Sequence, residues 1–250
     1  MNAALAAFAL APGLAVGSFL NVLAARVPLR RSVVKPRSAC MSCGHELAWH
    51  DNVPVLSYAL LRGRCRSCGV AISWLYPAVE VATALLVAAC VWKFGLTMDA
   101  AVAAFFCAVL VAITATDLTH RIIPNRIVVP AAALMLLART AIHPSPVWAL
   151  AALGASAFLF AAAVAYPAGM GMGDVKLAAL MGAALGKTVS VAMMSGMLFA
   201  LVPSVYLLAR HGSKARKMGI PFGPFLALGS VLALFAGRWL LGTYWATFTH

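Results

Sequence analysis

An all-α polytopic membrane protein with about eight transmembrane helices is the fold class this sequence predicts. Three observations lead there. Of the 250 residues, 64% are hydrophobic and 10% charged, too little polar surface to cover a soluble domain of that size. Several apolar stretches reach the roughly 20 residues a helix needs to cross a bilayer. The Lys and Arg residues collect in the gaps between those stretches, where a topology signal puts them.

The elements follow in chain order. Span 1 covers about 4–25, and a polar, cysteine-bearing segment runs over about 26–73. Spans 2 and 3 cover about 75–93 and 99–116, joined to span 4 (about 127–141) by a short polar stretch holding Asp117, His120, Arg121, Pro124, Asn125 and Arg126. His143-Pro144-Ser145-Pro146 makes a turn into span 5, about 147–168. The glycine-rich joint from Gly169 to Gly173 leads to Asp174, then to two short spans at about 175–186 and 189–209. A basic loop, Arg210 to Lys217, precedes the last span at about 222–243.

The stretch 175–209 could also be one long helix. Charge counting favours two. With eight spans, fifteen of the nineteen Lys and Arg residues fall on one side, leaving Lys93, Arg139, Lys187 and Arg238 on the other. That arrangement makes the rich side cytoplasmic and puts both termini outside. Trp74, Trp92, Trp148, Tyr166, Tyr206 and Trp239 fall near span ends, as an aromatic belt would. The net charge of +13 is therefore a topology signal, and no nucleic-acid-binding module is visible. Met1 to Leu23 lacks a basic leading region, while Arg26, Arg30 and Arg31 follow it, which favours a retained first span over a cleaved signal. The expected organisation is a first transmembrane helix (1–25), a cytoplasmic zinc-binding segment (26–73) and a transmembrane domain (74–250).

Cys40, Cys43, Cys65 and Cys68 form two CxxC pairs, each followed by glycine. The likeness continues, with Leu47 and Ile72 four residues past the second cysteine and Trp49 and Trp74 six past it. Two related knuckles closing on one structural zinc ion explain this pattern, since four thiolates make a closed tetrahedral site. So small a segment has little core of its own, and zinc contributes on the order of 10–16 kcal/mol. A pair of disulfides is the alternative, disfavoured by a reducing cytoplasm. His45 and His50 read as solvated surface. Cys90 and Cys107, inside spans, read as buried packing residues.

Only six acidic residues occur: Glu46, Asp51, Glu80, Asp99, Asp117 and Asp174. Asp99 reads as a helix N-terminal acid. Asp117 closes span 3 and Asp174 opens span 6, both expected at the cytoplasmic end. Ionisable groups at membrane depth usually face the bundle interior and carry function. Two neighbouring carboxylates sharing one proton can activate water and protonate a leaving amine, the chemistry of an aspartic protease. Gly169, Gly171 and Gly173 would let an extended strand approach, although a loop turn or helix packing would also use them. Lys176 reads as snorkelling to the membrane boundary. Neither HExxH nor GxSxG is present.

Six ordered motifs resemble the type IV prepilin peptidases, the leader peptidase/N-methyltransferases. They are Gly17-Ser-Phe-Leu-Asn21, the paired CxxC elements with Asp51-Asn-Val-Pro54 between them, Tyr76-Pro-Ala-Val-Glu80, Asp117 with Ile123-Pro124-Asn125, Gly171-Met-Gly-Asp-Val-Lys176, and Ile220-Pro-Phe-Gly-Pro-Phe-Leu226. The fifth is similar to the GxGD element shared with presenilin-like proteases. The resemblance implies that Asp117 and Asp174 are the catalytic pair. It implies prepilin or type II secretion pseudopilin substrates, cleaved after Gly at the cytoplasmic face. It also implies N-methylation of the new terminus from S-adenosylmethionine, an activity belonging to the cysteine-bearing segment, with Glu80, Asp51 and Asn52 as candidate contacts. Asn125 stands where the family commonly carries an acid. A transporter or channel with a zinc-stapled cytoplasmic cap, and a non-catalytic assembly platform, are the competing readings.

Overall fold

The computed structural model describes residues 2–35, 37–40, 42–166, 170–212 and 220–248. Gly169 and the basic loop residues Lys214, Arg216 and Lys217 lie outside them. The described chain is helical, with no strand and only two isolated bridges. Its helices are α1 (Asn2–Arg26), α2 (Leu56–Leu60), α3 (Leu75–Phe94), α4 (Met98–His120), α5 (Asn125–Ile142), α6 (Val147–Ala165), α7 (Met172–Leu185), α8 (Val189–His211) and α9 (Gly223–Phe248). All but α2 are long, so the described residues hold the eight long helices that the hydropathy pattern predicts.

Among the described residues, seven stretches are long and apolar enough to cross a membrane. The sixth, Met172–His211, is the ambiguous one, and a 3₁₀ turn over Gly186–Thr188 divides it into α7 and α8. Exposed apolar side chains such as Leu134, Leu137, Leu153 and Phe158 coat the helices, as lipid contact requires. Trp74, Trp92, Tyr166, Tyr206 and Trp239 are also exposed. Pro12, Pro130 and Pro203 sit inside helices, a tolerance typical of membrane spans.

The chain forms two compact units, Met1–Thr116 and Asp117–His250. In the first, α1 crosses α3 with almost no side chain between them. A Cβ on Gly13 would lie 2.6 Å from the Cα of Ala84, and one on Gly17 would lie 2.6 Å from the Cα of Glu80. Two glycines four residues apart thus meet two residues four apart on an antiparallel partner, the small-residue packing that lets membrane helices touch backbone to backbone. Leu20, Ala24, Val79, Ala108, Val111, Ala112 and Ala115 form the core beside this crossing. Cys90 and Cys107 are fully buried, with sulfurs 3.9 Å apart, matching their reading as packing residues. Asp99 falls in the first turn of α4, as expected.

In the second unit, Gly182 of α7 abuts the backbone of Ala151 and Ala152 on α6, and Gly229 of α9 meets Ala192 and Gly196 of α8. The break after α7 has a visible cause. Gly186 adopts φ 56°, where a Cβ is strained, and the Trp148 ring covers it. Arg139, counted among the few cations of the outer side, is buried. Its Nε donates to the carbonyl of Ala184 at 3.2 Å, and its guanidinium lies 5.4 Å from the centre of the Trp148 ring. A cation thus satisfies a carbonyl at the C-terminal end of α7, where orphan carbonyls and the helix dipole favour it.

Candidate functional site

Asp117 lies in the last turn of α4 and is 6% exposed. After it, Arg121 takes a left-handed φ of 53°, with its amide bonded to the Asp117 carbonyl, and Pro124 opens α5. This cap turns the chain sharply and presents Asp117 at a helix end. Its Oδ2 accepts the amide of Gly223 at 2.9 Å. Gly223 is the first residue of α9, so a carboxylate meets the positive end of a helix dipole. A Cβ at Gly223 would lie 2.8 Å from that same oxygen, so the position has room only for glycine.

Asp174 lies in the first turn of α7. Its Oδ2 accepts the amide of Gly171 at 3.2 Å, while its own amide donates to the Gly171 carbonyl at 3.1 Å. The carboxylate therefore closes the helix start, as an acid at the third helical position does. Gly173 has a separate reason. A Cβ there would lie 2.9 Å from the Cβ of Ile123, so the joint after α4 and the start of α7 touch at that point. The Nζ of Lys176 donates to Oδ1 of Asn125 at 2.8 Å, tying α7 to the first residue of α5. Asp117 and Asp174 thus flank the point where the joint after α4 meets the start of α7. Each is held through Oδ2 by one backbone amide, which leaves both Oδ1 atoms outside these bonds.

The cysteine-bearing segment of the first unit is a duplicated turn with a 25-residue offset. Gly44 donates to the Cys40 carbonyl and Gly69 to the Cys65 carbonyl, both at 2.9 Å. Cys40 bonds to the carbonyl of His45 and Cys65 to that of Val70, again at 2.9 Å in each. The bridges Ala39–Glu46 and Arg64–Ala71 repeat the match. Gly44 and Gly69 both take φ 70°, the backbone state that glycine alone adopts freely. The four sulfurs lie within 4.8 Å of one another and could hold one metal ion. Amides of Cys43 and Ser42 draw the Cys40 thiol down to about 6, whereas Cys68, despite the Val70 amide, is pushed up to about 11 by burial and the neighbouring sulfurs.

Beside these turns lies a cavity of about 1000 Å³. Asp51, Asn52 and Glu80 all line it, so the three residues singled out in the sequence share one space, together with Asn21, Tyr58, Arg66 and Tyr76. Two of the three are already engaged. Asp51 receives Nη2 of Arg66 at 2.8 Å and Nε at 3.0 Å. That guanidinium holds the Asp51 carboxyl below its usual range. Glu80 accepts the amide of Val55 at 2.8 Å through Oε2.

Family models cover both regions. A model of the bacterial peptidase A24 N-terminal domain matches residues 12–94, and one of the type IV leader peptidase family matches residues 104–209. A Bacillus subtilis prepilin leader peptidase/N-methyltransferase is 37% identical over 239 residues, covering 93% of this chain and 94% of its own. This chain belongs to the type IV leader peptidase family. Proteins of the same name from Burkholderia pseudomallei (36% identity, 92% of this chain, 85% of theirs) and Pseudomonas aeruginosa (34%, 93% and 90%) extend the match. No solved structure matches the chain. The first family match spans all four cysteines and the second spans both aspartates, so the family's two parts coincide with the two clusters. The transporter reading finds no support in these relatives. The roles of Gly223 and Arg139 are not legible in the sequence. The Pro221-Phe-Gly-Pro224 run carried a signal only as a family motif.

Proposed function

We propose that this multi-pass membrane peptidase removes the basic leader from type IV prepilins or type II secretion pseudopilins, with Asp117 and Asp174 as the catalytic pair. One observation carries the reading: two carboxylates stand at the ends of α4 and α7, each accepting a backbone amide, where Ile123 beyond α4 packs against Gly173 of α7. One acid keeps a proton while its partner, as the anion, takes a proton from water attacking the scissile carbonyl. The protonated acid then hands its proton to the departing amine. The two titrate as a pair. The amides of Gly223 and Gly171 hold the carboxylates in place so that little reorganisation precedes attack.

The cut falls after Gly at the cytoplasmic face of the bacterial inner membrane, with both termini of this chain periplasmic. That orientation rests on the Lys and Arg distribution.

The cysteine cluster holds zinc. With Zn–S of about 2.3 Å, a tetrahedron separates its sulfurs by about 3.8 Å, and Cys40 and Cys68 have sulfurs 3.8 Å apart. Zinc here is structural, supporting the cavity in which the new N-terminus is methylated from S-adenosylmethionine. The cavity is of a size suited to such a ligand. Asn52 is a candidate contact, whereas Asp51 and Glu80 shape the wall.

Mass spectrometry of a prepilin incubated with the enzyme and S-adenosylmethionine tests both activities at once. Leader loss and a gain of one methyl are expected with the wild type, and intact precursor with Asp117→Asn or Asp174→Asn. Normal cleavage by Asp174→Asn would refute the catalytic assignment.

A further inference from the structure

Val55 carries an unusual backbone. Its φ is 60° and ψ −47°, and the amide of Leu56 bonds to the carbonyl of Pro54 across it. This is a γ-turn of the rarer, strained hand, centred on a β-branched residue that sterics exclude from positive φ. Such a conformation persists only where its surroundings over-determine it. Here the determinant is Glu80, whose Oε2 receives the Val55 amide at 2.8 Å.

Glu80 is itself closely packed. It is 8% exposed, and Gly17 of α1 packs against its backbone. Asn21 lies 3.5 Å from its Oε1 and donates to the carbonyl of Tyr76 at 3.0 Å. The turn that Glu80 fixes separates the 3₁₀ turn Trp49–Asn52 from α2, which carries Tyr58. Asn52, Val55, Tyr58 and Glu80 all line the cavity. The carboxylate therefore bonds the membrane helix to a strained link in the cavity wall.

We infer that Glu80 is a positioning residue for methyl transfer, holding Val55 in its left-handed turn so that the cavity wall keeps the shape that binds the methyl donor. This rests on reading that cavity as the methyl-transfer site.

The test is a mutant cycle on the full chain in detergent. KM and kcat for S-adenosylmethionine are measured with a leaderless pilin peptide, alongside leader cleavage of a prepilin. Glu80→Ala should raise KM about tenfold with kcat changed less than threefold and cleavage within twofold. E80Q should recover most of the loss, because its amide oxygen can still accept from Val55. Combining E80A with V55G should also restore KM, since glycine adopts positive φ without help. A double variant no better than E80A would overturn the proposal, meaning that Glu80 touches the donor directly. An unchanged KM in E80A, or cleavage falling in parallel with methylation, would overturn it as well. Wild-type protein that neither binds nor uses S-adenosylmethionine would defeat the cavity reading and this inference with it.

Discussion

The amide of Gly223 donates to Oδ2 of Asp117 at 2.9 Å, across 106 positions of chain. A residue with no side chain thereby orients one of the two acids. The contact is possible because α9 begins there and its first amides lack partners within the helix.

Gly223→Ala should cost leader cleavage at least tenfold while the protein still inserts and folds. The added methyl would lie 2.8 Å from the carboxylate oxygen and displace it. Misplacing a catalytic group by even about 1 Å can cost on the order of a hundredfold. Gel-based cleavage of a prepilin reads this, and methylation of a leaderless peptide should be spared.

Replacing any one of Cys40, Cys43, Cys65 or Cys68 by Ser should abolish the one zinc per chain that elemental analysis would find in the wild type. G69A is a milder probe. At φ 70° an Ala costs about 1–2 kcal/mol, so zinc should remain bound but be lost to a chelator about tenfold more readily. Unchanged chelator competition would mean the turn does not support the metal.

Gly17→Leu should separate α1 from α3. The nearest atom to an added Cβ is backbone, the Cα of Glu80 at 2.6 Å, so no side chain can swing aside. Overpacking of this kind costs about 1–3 kcal/mol. The thermal midpoint of the detergent-solubilised protein should fall by several degrees, and methylation should fall further than cleavage.

Arg139→Met should destabilise the α7–α8 break by about 2 kcal/mol. It removes a charged donor from the Ala184 carbonyl and a cation from the Trp148 ring. Hydrogen exchange at residues 184–188 should rise in R139M while exchange near Asp174 changes little. Equal protection in both proteins would refute the role.

Much of the fold was legible in the chain alone. The eight apolar stretches match eight long helices, and the two cysteine turns superpose in hydrogen bonding as their shared spacing implies. The two acids of the proposed pair stood out because so few acids exist. The partners of Lys176 and Arg139 are not legible in the chain, since nothing local reveals that Asn125 or the Ala184 carbonyl is within reach. Glu80 stands out only as one of six acids, and its bond to Val55 is invisible in the pattern.

The sequence by itself determined membrane character, helix boundaries, the cysteine repeat and which acids stand alone, because hydropathy and spacing act over one or two turns of chain. Tertiary structure decided which amide meets which carboxylate: Gly223 with Asp117, and Val55 with Glu80. Those pairs join residues far apart in sequence, and what selects them is the close approach of backbones at glycine-lined crossings and helix ends, which no local pattern encodes.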